Sequence, residues 1–121
     1  MYVKNIDNIP VEKIEAGENT FKQVLISPEE APNFAMRKFI IEPFGFMPLH
    51  TNAVEHEQLV LNGKAKVIIG ESEFEVKKND VVFIPANTPH SYKTIGDEAF
   101  EFLCIVPNKE DKIIVVKDEC A

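Results

Sequence analysis

Three histidines are the residues of this sequence best suited to chemistry: His50 and His56 lie close together, and His90 opens a strand-like run far downstream. A neutral imidazole offers a lone pair to a metal ion and is the commonest metal ligand in proteins. A lone histidine on a strand is more often a hydrogen-bonded structural residue, so residue type alone decides nothing and the surrounding pattern must. Glu55 and Glu57 flank His56 and are tempting as further ligands. Cys104 and Cys120 are the two cysteines, too few for a disulfide framework and in keeping with a reducing, cytoplasmic setting. Cys104 falls in the apolar run AFEFLCIV, where a buried cysteine acting as a small hydrophobe is the commoner reading; beside an oxygen-activating ion it would be open to oxidation.

What must position these side chains is a series of short strands. Residues 20–26 (TFKQVLI) read as a strand and residues 27–33 as a loop. Residues 34–42 (FAMRKFIIE) carry the aromatic and β-branched side chains that strands prefer, and PFGFMP then reads as a turn set by Pro43, Gly45 and Pro48. Residues 56–61 run into Asn62-Gly63, the strongest short hairpin signal, and residues 64–70 return. SEFEVK alternates with period two, and VVFI, HSYKT, AFEFLCIV and IIVVK complete the run. About nine strands are predicted, with no long helix, which argues for a sandwich or closed barrel rather than βαβ units. Residues 1–19 are polar and weakly periodic and are expected to form an arm against the domain or a partner subunit. With no internal repeat and no second domain, residues 1–121 read as one unit: a barrel over about 20–107, the arm at 1–19 and a terminal strand at 113–117.

Composition narrows the function. The 121 residues are 45% hydrophobic and 27% charged, ordinary for a chain that buries one core. Twenty acidic residues against 13 basic ones give a formal net charge of -7, which repels phosphate backbones and anionic lipid, so neither nucleic acid nor membrane is expected as a partner. No stretch is apolar for long enough to form a spanning helix. The first residues, MYVKNIDNIPVEKIE, lack a basic segment followed by an apolar one, so no secretory signal is expected.

Two segments resemble the motifs of the cupin superfamily. In GFMPLHTNAVEHEQLVLNG, His50 matches the first histidine of the first motif, Asn52 stands where the second would be, and His56 holds the position usually taken by Glu. In NDVVFIPANTPH, the spacing of the second motif is kept by Asn79, Pro85, Asn87 and His90. Two asparagines replace family glycines there, and asparagine is the residue that best tolerates the left-handed backbone those turns need. The resemblance covers about residues 20–107 and is closest to small stand-alone bacterial and archaeal cupins with four metal-binding histidines. Their His-x-His-x-x-Glu-His-Glu becomes His50-x-Asn52-x-x-Glu55-His56-Glu57 here. The resemblance implies an all-β, double-stranded β-helix (jelly-roll) barrel holding one divalent transition metal per chain through His50, His56 and His90, with Asn52 as an amide ligand or its place left to water.

Strand parity then sorts the pocket. If His56 points inward, so do Gln58 and Val60, while Glu57 points out. Glu55 and Glu57 are therefore expected at the surface, or behind the ligands, where they would fix a histidine tautomer. His90 and Tyr92 share a face, as do Phe100, Phe102, Cys104 and Val106. Ala35, Arg37, Phe39 and Ile41 are placed inward, with a surface ion pair as the other reading of Arg37. The expected pocket is thus lined by Phe39, Phe102 and Cys104, with Tyr92 or Gln58 orienting a ligand and Arg37 neutralising its charge.

Three neutral imidazoles leave a divalent ion with its full charge, so such a site favours a small anionic ligand such as an enolate, carboxylate or thiolate. It also keeps coordination positions open, as catalytic sites do. Imidazole ligands suit Zn, Cu, Ni or Fe alike, and the resemblance adds Mn. The expected function is a metal-dependent enzyme of the oxygenase kind. Isomerase or lyase chemistry, with the ion as Lewis acid, and a non-catalytic binding or sensing module are the alternatives. A homodimer is expected, with the two terminal segments pairing across a two-fold axis.

Overall fold

Among the described residues, period-two alternation is realised as ten strands: β1 (Glu12–Lys13), β2 (Glu18–Ile26), β3 (Phe34–Thr51), β4 (His56–Asn62), β5 (Lys64–Ile69), β6 (Ser72–Lys77), β7 (Val81–Ile84), β8 (His90–Ile95), β9 (Phe100–Pro107) and β10 (Ile114–Val115). The computed structural model describes residues 1–116, so Lys117, expected in the last strand, and Cys120 lie outside the described residues. The strands form one hydrogen-bonded system in the order β6-β5-β8-β3-β9-β4-β7; β2 and β10 also pair with β3, and β1 with β2.

The long strand β3 folds that system into two layers. Residues 34–41 pair with β9, and residues 46–50 pair with β8. One layer is therefore β6-β5-β8 with the end of β3, and the other is the start of β3 with β9-β4-β7. Their inner faces meet in a core that includes Ile41, Val60, Val67, Ile84, Tyr92, Phe100 and Phe102. This is the jelly-roll β-barrel expected from the sequence. Burial alternates residue by residue along β4 and β9, which leaves inward-facing side chains of both layers pointing at one interior.

Two expectations need correction. PFGFMP is not a turn between strands: β3 runs through it without reversing. Pro43 removes a ladder donor, and the stretch becomes a bulge in which Phe44 takes a left-handed φ of 68°. The pairing of β2 with β3 jumps here, from Thr20 opposite Ile41 to Glu18 opposite Phe46. Bulges are where a strand tolerates proline and bends, and this bend carries β3 from one layer into the other. The second correction concerns the arm: it lies against its own domain, one of the two expected placements, but it is not structureless, since it contains the further strand β1, paired with β2. Buried Gln23 donates to the carbonyls of Ile6 and Ile9 at 3.0 and 2.9 Å, so the arm caps a side chain that would otherwise be buried without partners.

Candidate metal centre

His50 and His90 are direct cross-strand neighbours, paired between the end of β3 and the first residue of β8. Their ring centroids lie 4.1 Å apart. His56 opens β4, on the other layer, and its ring lies 5.8 Å from that of His90. All three imidazoles are at most 5% exposed. The loops that deliver them are tied together: the Asn87 N–H donates to the Asn52 carbonyl at 2.7 Å, and Asn87 turns with φ 63°.

Second partners fix two of the rings. His50 Nδ1 lies 2.8 Å from the Pro48 carbonyl and His90 Nδ1 lies 2.8 Å from the Thr88 carbonyl. A carbonyl only accepts, so Nδ1 carries the proton and Nε2 keeps its lone pair. His56 Nδ1 instead faces Cys104 Sγ at 3.5 Å. Burial holds the His56 imidazole down to about 3, with the nearby Arg37 charge and His90 adding to it. Burial likewise holds His90 down to about 4, against the opposing pull of the Thr88 carbonyl, and it lowers His50. Neutral imidazoles are the protonation state that metal binding needs.

The donors left over face a common cavity of about 100 Å³ lined by His50, Asn52, His56, Gln58, His90 and Tyr92 among others. His56 Nε2, His90 Nε2 and Asn52 Oδ1 are buried with no hydrogen-bond partner. Lone pairs left bare in this way fit a cation, so the donor chemistry suits a metal ion. Among the described residues, however, no three His, Cys, Asp or Glu side chains converge on a closed metal-ligand set. The imidazoles surround one space without meeting at a point.

Arg37, Phe39, Gln58 and Phe102 line the cavity from a cross-strand ladder on β3, β9 and β4, whereas Cys104, expected in the lining, lies behind it between Arg37 and Gln58. One rung is Arg37–Cys104–Gln58 and the next is Phe39–Phe102–Val60. Phe102 stacks on Phe39 (centroids 5.2 Å, 17° between planes) and on Tyr92 from the opposite layer (5.1 Å, 24°). Gln58 Nε2 donates to the Tyr92 hydroxyl at 2.7 Å. Burial raises the Tyr92 phenol, which stays protonated. Arg37 Nη2 donates to Cys104 Sγ at 3.6 Å, its guanidinium lies 4.9 Å from the Phe39 ring centroid, and its Nε is buried without a partner. Among the described residues Arg37 joins no ion pair; it lines the cavity. Cys104 is fully buried and its thiol is pushed up by that burial, with Arg37 and Gln58 opposing.

Glu55 and Glu57 are exposed and line no wall of the cavity. Lys22, Met47 and Ile113 line it in addition to the residues singled out from sequence. Asp111 was also missed. Its Oδ2 accepts from Asn52 Nδ2 at 3.0 Å and its Oδ1 from the Ala53 N–H at 2.8 Å. Asp111 sits in the polar stretch NKEDK, which has no periodicity to mark it out.

Residues 37–106 match the family model Cupin_2, a cupin domain. The 1-methylthio-D-xylulose 5-phosphate methylsulfurylase of Rhodospirillum rubrum is 31% identical over 77 residues, which cover 64% of this chain and 49% of that protein. The chain spans about half the length of the first curated relatives it matches. Among solved structures, the polyketide cyclase RemF from Streptomyces resistomycificus superposes with a TM-score of 0.89 at 25% identity, over 98% of this chain and 87% of that one. An oxalate decarboxylase from Lactobacillus farciminis superposes with a TM-score of 0.75 at 25% identity, over 91% of this chain and 34% of that one.

Proposed function

We propose that this chain, which belongs to the Cupin_2 family of cupin domains, holds one divalent transition metal through His50, His56 and His90, with Asn52 as a fourth donor, and acts as a metal-dependent enzyme on a small anionic molecule. One observation carries the reading: His56 Nε2, His90 Nε2 and Asn52 Oδ1 are buried lone pairs with no partner around one cavity. Each such group costs about 1–3 kcal/mol when left unsatisfied, and a single cation answers all three. The donor set admits Mn, Fe, Ni, Zn or Cu. Since the imidazoles do not already converge, binding includes a closing movement of their side chains.

When bound, the ion supplies Lewis acidity at an anionic oxygen or sulfur of the ligand. The chain's own residues do the rest. Arg37, the cationic end of the Arg37–Cys104–Gln58 rung, balances the ligand's charge. Gln58 donates to the Tyr92 oxygen, which leaves the phenol proton free for the ligand, and the raised phenol keeps that proton at neutral pH. Phe39, Phe102 and Tyr92 offer a flat wall to a planar, conjugated group and keep water from it. A cavity of about 100 Å³ is smaller than the roughly 150 Å³ that takes benzene in an engineered protein. The part of the ligand that enters among the imidazoles is therefore small.

Lewis-acid chemistry on an enolisable or carboxylate-bearing anion is favoured over the oxygenase form. The specific observation is that the similar proteins described above are named as a cyclase, a decarboxylase and a methylsulfurylase. The test is elemental analysis of the purified, untagged protein beside a His56→Ala control. About one metal equivalent per chain, lost in the control, is expected. No metal after incubation with Fe, Mn, Ni and Zn would leave a barrel that only binds a ligand. Oxygen uptake on adding candidate enolates would restore the oxygenase form.

A homodimer and a cytoplasmic location belong to the same proposal. The terminal segments are already paired within the chain, β1 on β2 and β10 on β3. Support for self-association comes instead from the apolar side chains exposed on β4, β6 and β7: Leu59, Phe74, Val81 and Phe83. An exposed apolar surface of this kind marks a site of association. A Phe83→Asp variant is expected to sediment as a monomer where the parent sediments as a dimer.

A further inference from the structure

We infer that Asp111 is a positioning residue for the metal centre: its carboxylate holds the Asn52 amide so that Oδ1, and not Nδ2, faces the imidazoles. The inference rests on the reading of His50, His56 and His90 as metal ligands. Asn52 follows β3 by one residue, is 4% exposed and lines the same cavity as the three histidines. Its Nδ2 donates to Asp111 Oδ2 at 3.0 Å. A carboxylate only accepts, so only the NH₂ end of the amide can face it. The oxygen is thereby turned away from Asp111, and it is buried with no partner.

Without that hold, the amide is free to present either end. The two ends are opposite in effect: the oxygen is a metal donor, while the NH₂ group brings two N–H dipoles and no available lone pair toward a cation. Asp111 therefore decides whether position 52 is a ligand. The carboxylate is itself held in place by the Ala53 N–H at 2.8 Å.

Asp111 reaches this place because the chain after β9 crosses back toward the histidines. Beyond it, Ile113 lines the cavity, Ile114 pairs with Thr51 and Val115 with His50, and the Val116 N–H donates to the Leu49 carbonyl at 2.8 Å. The segment that carries Asp111 is thus zipped to the end of the strand that carries His50. Ligand geometry and the seating of this segment are one structural unit.

The test is Zn²⁺ affinity, measured by competition with a chromophoric chelator, for the full chain and for Asp111→Ala, Asn52→Ala, the double variant and Glu110→Ala, with thermal unfolding of each as a check on folding. Residues that orient a metal ligand typically cost about 10–100-fold in affinity when removed. Asp111→Ala is expected to fall in that range, and the double variant to bind no more weakly than Asn52→Ala alone. Glu110→Ala removes the same charge from the same segment and is expected to leave affinity unchanged. Parent-like affinity in Asp111→Ala overturns the inference while the metal reading stands. So does an equal loss with and without Asn52, because Asp111 would then act by charge or folding rather than through the amide. A parent chain that binds no Zn²⁺ overturns both.

Discussion

His56 differs from the other two imidazoles in what holds its Nδ1. Backbone carbonyls fix His50 and His90, whereas His56 leans on the thiol of Cys104, a soft and weak partner that Arg37 and Gln58 also touch. The result is a histidine whose environment speaks almost entirely through burial and a neighbouring positive charge, both of which hold it neutral, at about 3. In the metal-free protein this has a consequence for stability. An unfolded histidine titrates near 6.5, and the folded chain resists that proton until about 4 at His90 and about 3 at His56. Between those limits the unfolded state binds more protons, so stability falls as the pH falls. Above about pH 7 neither state binds them and these groups add no slope. Melting temperatures of the chelator-treated protein from pH 7.5 to 4.5 are expected to drop steadily, and more steeply than those of a His56→Gln variant. Carboxylates titrate in both proteins, so the difference between the two curves isolates the imidazole. Equal slopes would mean that His56 takes up its proton in the fold as readily as in the unfolded chain.

At the scale of elements, much of the barrel was legible because burial enforces alternation. Residues 56, 58 and 60 face in together, as do 100, 102, 104 and 106, since a strand offers no other way to bury one side. Turn chemistry was legible where a backbone angle demanded it: Gly63, Asn79 and Asn87 all take positive φ. What could not be read was β3, because the proline and glycine signals of a turn are also those of a bulge, and only the partner strand decides between them. The arm strand β1 was hidden for a related reason, being two residues long and held by its pairing with β2 rather than by its own pattern. Asp111 was hidden for want of any local pattern. Within the candidate site, the legible residues are those in motifs and on the strands that carry them; Asp111 and Ile113 were missed because they lie on the crossing segment, Lys22 because β2 carries no motif, and Met47 because the bent end of β3 carries the signals of a turn. The turn argument can be tested at two glycines. Gly63 has φ +74°, and a Cβ there would meet the Ala99 carbonyl oxygen at 2.3 Å; Gly96 has φ +87° but open space around it. Backbone strain costs each alanine variant about 1–3 kcal/mol, and only Gly63→Ala adds a clash with main chain that cannot swing aside. Urea denaturation is expected to show Gly63→Ala as the more destabilised of the two, with an unchanged m-value. Equal losses would mean that the hairpin shifts to accept the methyl group.

For the whole molecule, a metal at the candidate centre would be a cross-link that the chain makes with itself. His50 ends β3, His56 begins β4 and His90 begins β8, and strands β4 and β8 lie in different layers. None of these donors is near the others in an unfolded chain except His50 and His56, so an ion gains little from that state and its binding energy becomes folding energy. The metal-free fold carries the opposite burden, with His56, His90 and Asn52 each burying a lone pair that nothing answers. An ion held as proposed would stabilise the protein by removing that burden and by tying the two layers together. At free ion concentrations about 100 times the Kd, linkage gives about 2.7 kcal/mol, which for a domain of this size is a rise in Tm of about 10 °C. Differential scanning calorimetry of chelator-treated protein, titrated with Zn²⁺, is expected to show that rise and to show it grow with the logarithm of ion concentration. His90→Ala, which removes the donor shared by the strand pair β3–β8, is expected to abolish the concentration dependence while leaving a folded protein with its own transition. A parent whose Tm ignores the ion would mean that the three imidazoles serve only to fill the barrel, and that the cavity beside them binds its ligand without a metal.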